Sequence, residues 1–128
     1  MFLVYGSADK TIKIWNFQMK KQENILQGHT DKICSVAITS DNKFVVSGSE
    51  NKTVRVWDLK EKRQKLVLVG HTSYISSVKI IRNNRLIVSG SRDKTARVWK
   101  LPRFYRENNS ETKDNSSEFI KSSKNRLS

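Results

Sequence analysis

Three side-chain types that form a hydrolase triad lie close together in the sequence, at His71, Ser89 and Asp93. A serine hydroxyl becomes a nucleophile when a histidine takes its proton and a carboxylate orients the imidazole. The sequence has no Gly-rich phosphate loop and no pair of carboxylates in a cleft pattern that would support catalysis. Two His and one Cys are too few for a tetrahedral zinc site without carboxylate help. We therefore predict no enzymatic activity, no cofactor and no metal.

The chain is strongly basic, with 25 Lys and Arg against 12 Asp and Glu in 128 residues and a formal net charge of +13. Such a charge favours an anionic partner such as nucleic acid, or it serves only to keep the surface solvated. Nucleic-acid binders concentrate basic charge on one face, whereas here the excess is spread along residues 1–100. The pairs Lys20–Lys21 and Lys62–Arg63 are the best candidates for an anionic contact.

The compartment is indicated by several weak signals. No run of about 18 apolar residues occurs, so no membrane insertion is predicted. The N-terminus lacks the basic segment of a signal peptide, and Cys34, the single cysteine, cannot form an internal disulfide. We expect a cytoplasmic or nuclear protein. Cys34 lies in an apolar run without a second cysteine nearby, which favours a strand residue over a reactive thiol.

The chain contains an internal repeat. Gly, Ser, Lys, Thr and Trp hold the same places in three segments, so that Trp57 follows Trp15, and Trp99 follows Trp57, by 42 residues. A second marker, Gly-His-Thr, starts at Gly28 and again 42 residues later at Gly70. Two markers that keep one register establish the repeat. The segments are GSADKTIKIWN (6–16), GSENKTVRVWD (48–58) and GSRDKTARVWK (90–100).

Each repeat is predicted to fold as short antiparallel strands. The segments that end in Trp alternate apolar and polar residues with period two, and the other apolar runs are rich in Val and Ile. Asp41-Asn42 and Asn83-Asn84 mark tight turns between strands. The fold class is therefore all-β. Apolar runs of strand length lie at 33–38, 44–46, 66–69, 75–81 and 86–88.

These features resemble the WD40 repeat family. The period, the Gly-His-Thr opening, the Ser-Gly-Ser-x-Asp-Lys-Thr segment and the Trp57-Asp58 ending all match its pattern over residues 1–100. The last dipeptide is less regular elsewhere, as Trp15-Asn16 and Trp99-Lys100. The resemblance implies an incomplete β-propeller, in which a repeat supplies the outer strand of one blade and then three inner strands of the next.

The resemblance also implies the number of strands and of blades. Ten strands are expected, over residues 1–5, 11–15, 22–27, 33–39, 43–47, 53–57, 65–69, 75–81, 85–89 and 95–99. Residues 1–27 would form a partial first blade without its innermost strand, and residues 28–69 a complete second blade. Residues 70–100 would form a third blade without its outer strand, because ENNSE at 107–111 does not look like a strand. Residues 101–128 are rich in Ser, Asn, Lys and Glu, which predicts a disordered polar tail. Two and a half blades cannot close, so we expect a segment of a larger propeller, or a chain that self-associates or pairs with further blades.

The resemblance gives the triad-like residues a structural role. In WD40 blades a His, a Ser, an Asp and the Trp form a hydrogen-bonded tetrad. The first blade keeps only Asp9 and Trp15, with Tyr5 at the Ser position. Asn51 replaces the Asp in the second blade, so we expect a weaker tetrad there. By motif the sets are His29, Ser47, Asn51 and Trp57 in the second blade, and His71, Ser89, Asp93 and Trp99 in the third.

The family resemblance further implies a non-catalytic scaffold that binds a protein or peptide partner on one loop face. Tyr74 and Arg92 stand out, because Tyr and Arg are frequent hot-spot residues. Two other functions stay open: a basic module for nucleic acid or anionic surfaces, and a fragment without independent function. The recurring basic residues Lys13, Arg55 and Arg97 are interpreted as solvated positions. The partner-face residues by motif are Lys32, Cys34 and Glu50 in the second blade, Tyr74, Ser76 and Arg92 in the third, and Ala8 in the first.

Overall fold

The computed structural model describes residues 2–101 and 122–126, and these residues form eleven strands and no helix. The strands make three antiparallel sheets, each in the order in which its strands follow in the chain. The all-β prediction is confirmed. The first sheet contains β1 (Phe2–Gly6), β2 (Thr11–Asn16) and β3 (Lys21–Gln27); the second contains β4 (Ile33–Ile38), β5 (Phe44–Ser49), β6 (Thr53–Asp58) and β7 (Arg63–Val69); the third contains β8 (Ile75–Ile81), β9 (Leu86–Ser91), β10 (Thr95–Lys100) and β11 (Ser122–Arg126).

The third sheet differs from the prediction, which gave it no outer strand. β11 pairs with β10, from Trp99 opposite Ser122 to Thr95 opposite Arg126. The sequence SSKNR has no alternation of apolar and polar residues and so did not look like a strand. It can still form an outer strand, because backbone hydrogen bonds alone can hold a strand at the edge of a sheet. The position expected for this strand, 107–111, lies outside the described residues, as does most of the predicted tail.

The three sheets stack face to face through two apolar clusters. The cluster between the first and second sheets contains Ile12, Ile14, Leu26, Ile33, Val45 and Trp57. The cluster between the second and third contains Phe44, Val46, Val54, Val56, Leu68, Ile75, Val78, Ile87, Trp99 and Leu101. Alternate residues of β5 and β6 thus point to opposite neighbours, which is why these strands are buried on both faces.

Two glycines allow the sheets to approach closely. A Cβ built on Gly6 would overlap Ile33 of the second sheet, and one built on Gly48 would overlap Ile75 of the third. Neither glycine has a positive φ, so close approach and not backbone freedom requires it. Each isoleucine is followed three residues later by a valine that also faces the glycine, Val36 or Val78.

A β-bulge explains how an Ile and a Val three residues apart share one face. Between β4 and β5 the register moves from Ile33 opposite Ser49 to Ser35 opposite Gly48, and Cys34 is left without a partner. The shift recurs between β8 and β9, where it leaves out Ser76. Such a bulge inserts one residue and reverses the alternation beyond it. The second sheet therefore contains both the glycine that receives the next sheet and the Ile–Val pair that packs on the preceding one.

The stack ends in two faces without a neighbour among the described residues. On the first sheet, Leu3, Tyr5 and Ile25 are each more than 40% exposed. On the third sheet, a Cβ on Gly90 would meet only Ser77 Oγ at 3.1 Å and Ser76 Oγ at 3.9 Å. Gly90 occupies the place in β9 that Gly48 has in β5, but no Ile–Val pair of the described residues faces it.

Candidate functional site

The structure brings His71, Ser89, Asp93 and Trp99 together as a third-sheet tetrad. Ser89 lies in β9 and Trp99 in β10, with His71 in the loop before β8 and Asp93 in the turn between β9 and β10. The indole Nε1 of Trp99 donates to Ser89 Oγ at 2.9 Å, and Ser89 Oγ lies 2.7 Å from His71 Nε2. His71 Nδ1 lies 2.8 Å from Asp93 Oδ2. The four side chains form one continuous chain of hydrogen bonds.

The carboxylate sets the direction of these bonds. Asp93 only accepts, so the proton of His71 is on Nδ1, and Nε2 accepts from the Ser89 hydroxyl. Burial alone raises the pKa of Asp93, but hydrogen bonds from Thr95, the Thr72 backbone amide and His71 outweigh it and hold the pKa well below its usual value. Ser89 is fully buried, so no substrate reaches its hydroxyl. This geometry ties the two loops to the sheet.

The second-sheet tetrad, His29, Ser47, Asn51 and Trp57, has the same shape with one altered bond. Asn51 Oδ1 accepts from the Thr53 backbone amide at 3.0 Å, which turns Asn51 Nδ2 towards His29 Nδ1 at 3.1 Å. Because an amide nitrogen donates, His29 Nδ1 must accept, and its proton is on Nε2, 2.6 Å from Ser47 Oγ. Trp57 Nε1 also donates to Ser47 Oγ at 2.8 Å. The imidazole tautomer is therefore reversed relative to the third sheet.

His29 has a lower pKa than an ordinary histidine. Burial is the main cause, the positive charge of Arg55 adds to it, and the pKa falls from 6.5 to about 4. Arg55 is itself fixed by bonds to the Gly28 carbonyl at 2.8 Å and Gln64 Oε1 at 2.7 Å. With Asn51 in place of an aspartate, no carboxylate in the tetrad offsets these effects. His29 is neutral at physiological pH.

Among the side chains that the structure describes, the first sheet has no tetrad. Tyr5 is 41% exposed, and Trp15 is only partly buried. Asp9 bonds instead to Lys13 Nζ at 2.8 Å and to Thr11 Oγ1 at 2.6 Å, and the Lys13 ammonium is the main cause of its lowered pKa. The recurring basic residues are thus engaged rather than simply solvated: Lys13 binds Asp9, and Arg97 lies 6.0 Å from the centre of the Trp99 ring.

The glycine of each Gly-His-Thr marker packs against a tetrad tryptophan. A Cβ on Gly28 would lie 2.8 Å from Trp57 Cη2, and one on Gly70 would lie 3.2 Å from Trp99 Cη2. The loop that carries the histidine therefore closes directly over the indole. This contact accounts for the Gly-His pair seen twice in the sequence.

The predicted partner-face residues meet in pairs across two loops. In the second sheet, Lys32 Nζ lies 3.8 Å from Glu50 Oε2, and the Glu50 amide donates to the Lys32 carbonyl at 2.9 Å. In the third sheet, the Arg92 guanidinium lies 5.9 Å from the centre of the Tyr74 ring, and the Arg92 amide donates to the Tyr74 carbonyl at 2.9 Å. The same backbone bond thus holds a salt bridge in one sheet and a cation–π pair in the next.

The remaining partner-face positions are exposed. Cys34 and Ser76 are the two bulge residues, and Ala8 lies in the turn between β1 and β2. Partial burial, with a contribution from Glu50, raises the pKa of the Cys34 thiol, which therefore stays protonated at neutral pH.

The prediction overlooked three lysines on equivalent turns, which lie between β1 and β2, between β5 and β6, and between β9 and β10. Lys10, Lys52 and Lys94 all have left-handed backbone, with φ of 76°, 75° and 70°, and all three side chains are exposed. In each turn the lysine amide donates to a serine carbonyl three residues earlier, at 3.1 to 3.2 Å. Three identical turns thus place one cation on each sheet. The signal was the lysine that recurs in all three aligned segments.

The basic loops considered for an anionic contact are exposed as well. Lys20, Lys21, Lys62 and Arg63 lie at the turns into β3 and β7, and Arg63 is paired with Glu61 at 3.0 Å. These turns are at the strand ends opposite to the tetrad loops. Exposed basic residues therefore occur at both ends of the sheets and do not form a single stripe.

Two kinds of site are not found in the part of the chain that the structure describes. Within residues 2–101 and 122–126, no three His, Cys, Asp or Glu side chains are grouped so that they could hold a metal ion. Over the same residues, no helix is long and apolar enough to cross a membrane.

Three antiparallel sheets are stacked, and in the two that have four strands a Trp of the third strand donates to a Ser that is also bonded to a loop His. This arrangement defines a β-propeller-like repeat protein. The family model described as WD domain, G-beta repeat matches residues 1–16, 20–58 and 62–100, and the chain belongs to this WD40 family. The second and third matches each begin at an outer strand and end at the third strand of the next sheet. A comparison with curated proteins gave no match.

Proposed function

We propose that this chain is a non-catalytic scaffold that binds a protein or peptide partner on the loop face that carries the tetrad histidines. WD40 repeats are commonly protein-interaction scaffolds and are generally non-catalytic. The tetrads support the proposal, because they fix the loops of this face to the sheets and so give a rigid surface. The buried Ser89 argues against a hydrolase.

The observation that carries the proposal is the Tyr74–Arg92 pair. Both side chains are exposed, both lie on tetrad loops, and the backbone bond between their loops holds them together. A tyrosine offers a large contact area at a small entropic cost, and an arginine offers several donors. Such a preassembled pair is typical of a binding hot spot.

Alanine substitution tests this assignment. Peptides selected from a random library on the immobilised full-length chain are measured against the Tyr74→Ala, Arg92→Ala and Lys62→Ala variants. We expect each of the first two to weaken binding by about tenfold or more, as hot-spot residues do, and Lys62→Ala to change it little. Affinities that depend on Lys62 instead would support the anionic-surface function. Selected peptides that bind equally to all variants would refute the loop-face assignment.

We also propose that the two outer faces of the stack are covered by further sheets of the same kind. Gly90 repeats the position of Gly6 and Gly48, each of which receives an Ile and a Val from the next sheet. The partner that fits Gly90 is therefore a strand with Ile-x-x-Val and a bulge. On the first sheet, the exposed Leu3, Tyr5 and Ile25 offer the apolar surface for the preceding sheet.

The exposed free thiol of Cys34 fits a reducing compartment, and we propose the cytoplasm or the nucleus.

A further inference from the structure

We infer that the loop face of the third sheet binds the acidic group of a peptide, a carboxylate or a phosphate, between Arg92, Lys94 and Tyr74. This inference rests on the proposed function, because it names the chemistry of the partner on the same face. It is carried by the distribution of unpaired charge over the three sheets and by the stacking of Arg92 on Tyr74.

The charges of the first two sheets are largely cancelled on this face. In the second sheet, Lys32 is paired with Glu50, and the carboxylate of Asp31 is exposed on the same loop. In the first sheet, Lys10 follows Asp9, whose carboxylate also holds Lys13. Neither of these sheets presents more than a small excess of positive charge to a partner.

The third sheet is different because its acid is turned inwards. Asp93 lies between Arg92 and Lys94 in sequence, but its side chain is only 7% exposed and is bonded to His71. Ser73 stands where the second sheet has Asp31, and Arg92 stands where it has Glu50. Arg92 and Lys94 are exposed, and neither has an ion pair with any described residue. Two cations on one short turn therefore face solvent without an opposing carboxylate among the described side chains.

The backbone position of both cations is set in advance, and so is the orientation of the Arg92 guanidinium. Arg92 lies over the Tyr74 ring, and its amide is bonded to the Tyr74 carbonyl, so part of the ordering entropy of binding is already lost. Lys94 is held in the left-handed turn by its bond to the Ser91 carbonyl at 3.2 Å. A guanidinium binds carboxylate and phosphate oxygens through two parallel bonds, and the tyrosine ring offers a flat surface beside it. An acidic side chain flanked by an apolar or aromatic residue fits this arrangement.

The test uses the full chain and fluorescein-labelled octaglutamate, octaglutamine and a Gly-Ser peptide that carries phosphoserines. Fluorescence anisotropy at physiological ionic strength should detect octaglutamate or the phosphopeptide but not octaglutamine, and the stronger of the two identifies the source of the anion. Arg92→Gln should weaken the acidic peptide by about tenfold or more, since it removes charge-assisted hydrogen bonds. Tyr74→Ala should also weaken it. Lys62→Gln, which removes the same charge at the opposite end, should leave it within about twofold.

The possible results separate this inference from the proposed function. Equal losses of affinity for the acidic peptide in Arg92→Gln and Lys62→Gln would overturn the inference, because binding would then depend on the overall positive charge of the chain. Tighter binding of a labelled single-stranded DNA would overturn it in favour of nucleic acid. If the library-selected peptides are neutral, and their affinity depends on Tyr74 but not on Arg92, the scaffold function is supported and the preference for acidic peptides is refuted. If no selected peptide depends on either residue, both fall. Thermal melts of the variants that match the parent chain exclude misfolding as the cause.

Discussion

Replacing Gly48 by alanine tests whether the sheets are joined by the contact described above. The new Cβ would overlap Ile75 and lie 3.0 Å from Val78 Cγ1, and both of these residues are buried in the cluster between the second and third sheets. Neither side chain can move aside without disturbing that cluster. Gly90→Ala is the matched control, because it makes the same change at the same place in the neighbouring sheet. There the Cβ meets only the Oγ atoms of exposed Ser77 and Ser76.

The expected difference in stability between the two variants follows from two opposing effects. Inserting a methyl group into a packed core costs about 1–3 kcal/mol. Alanine at a compatible backbone position stabilises by about 0.4–1 kcal/mol through the unfolded state, and neither glycine has a positive φ that would prevent this gain. The gain is common to both variants, so the difference between them isolates the packing cost. Gly48→Ala should be less stable than Gly90→Ala by about 2 kcal/mol.

Urea unfolding followed by tryptophan fluorescence measures this difference, and thermal melts should separate the two variants by about 5 °C or more. If Gly48→Ala is as stable as the parent chain, the argument that close approach requires the glycine is refuted. A Gly90→Ala variant that is as unstable as Gly48→Ala would show that the outer face of the third sheet is already covered in solution.

The reversed tautomers predict that NMR detects the ring proton on Nε2 of His29 but on Nδ1 of His71. In the Asn51→Asp variant, the His29 proton should move to Nδ1. The same tautomer for both histidines and for the variant would contradict the assignment. Because the pKa of His29 is about 4 when folded and about 6.5 when unfolded, the unfolded chain binds more protons between these values, so the free energy of unfolding should decrease as the pH falls through this range. Urea titrations at several pH values check this, and a decrease that persists in His29→Gln would assign it to other groups. Trp99→Ala should destabilise by about 3–5 kcal/mol, whereas Trp15→Ala, at a half-buried site without a tetrad, should cost less; equal losses in urea unfolding would contradict the tetrad's role.

Much of the fold could be predicted because the same residue pattern recurs in each repeat. Trp57 and Trp99 recur with their serines and histidines at fixed spacing, and the structure brings each set within hydrogen-bond distance. A side chain that must reach a bonding partner is constrained in type and in position, so the pattern is visible in the sequence.

The parts that were missed depend on backbone geometry. β11 pairs with β10 along the backbone, and its polar sequence carries no pattern that would mark it as a strand. The bulges at Cys34 and Ser76 break the period-two alternation, so the shared direction of each Ile and Val could not be read from spacing alone. The reversal of the His29 tautomer required the amide orientation of Asn51, which is fixed by its bond to the Thr53 amide.

The second sheet contributes side chains to both apolar clusters, and this sharing makes local opening of the stack unequal. Detaching the first sheet exposes only the cluster around Ile33 and Val45, and detaching the third exposes only the cluster around Val46 and Ile75. Opening the second sheet exposes both clusters at once and therefore costs the most free energy. Backbone amides in β5 and β6 should then exchange with solvent only through the rarest fluctuations, while the outer sheets fray first. Amide exchange should therefore be slow in the central sheet and faster in the two outer sheets, although the repeats are similar in sequence.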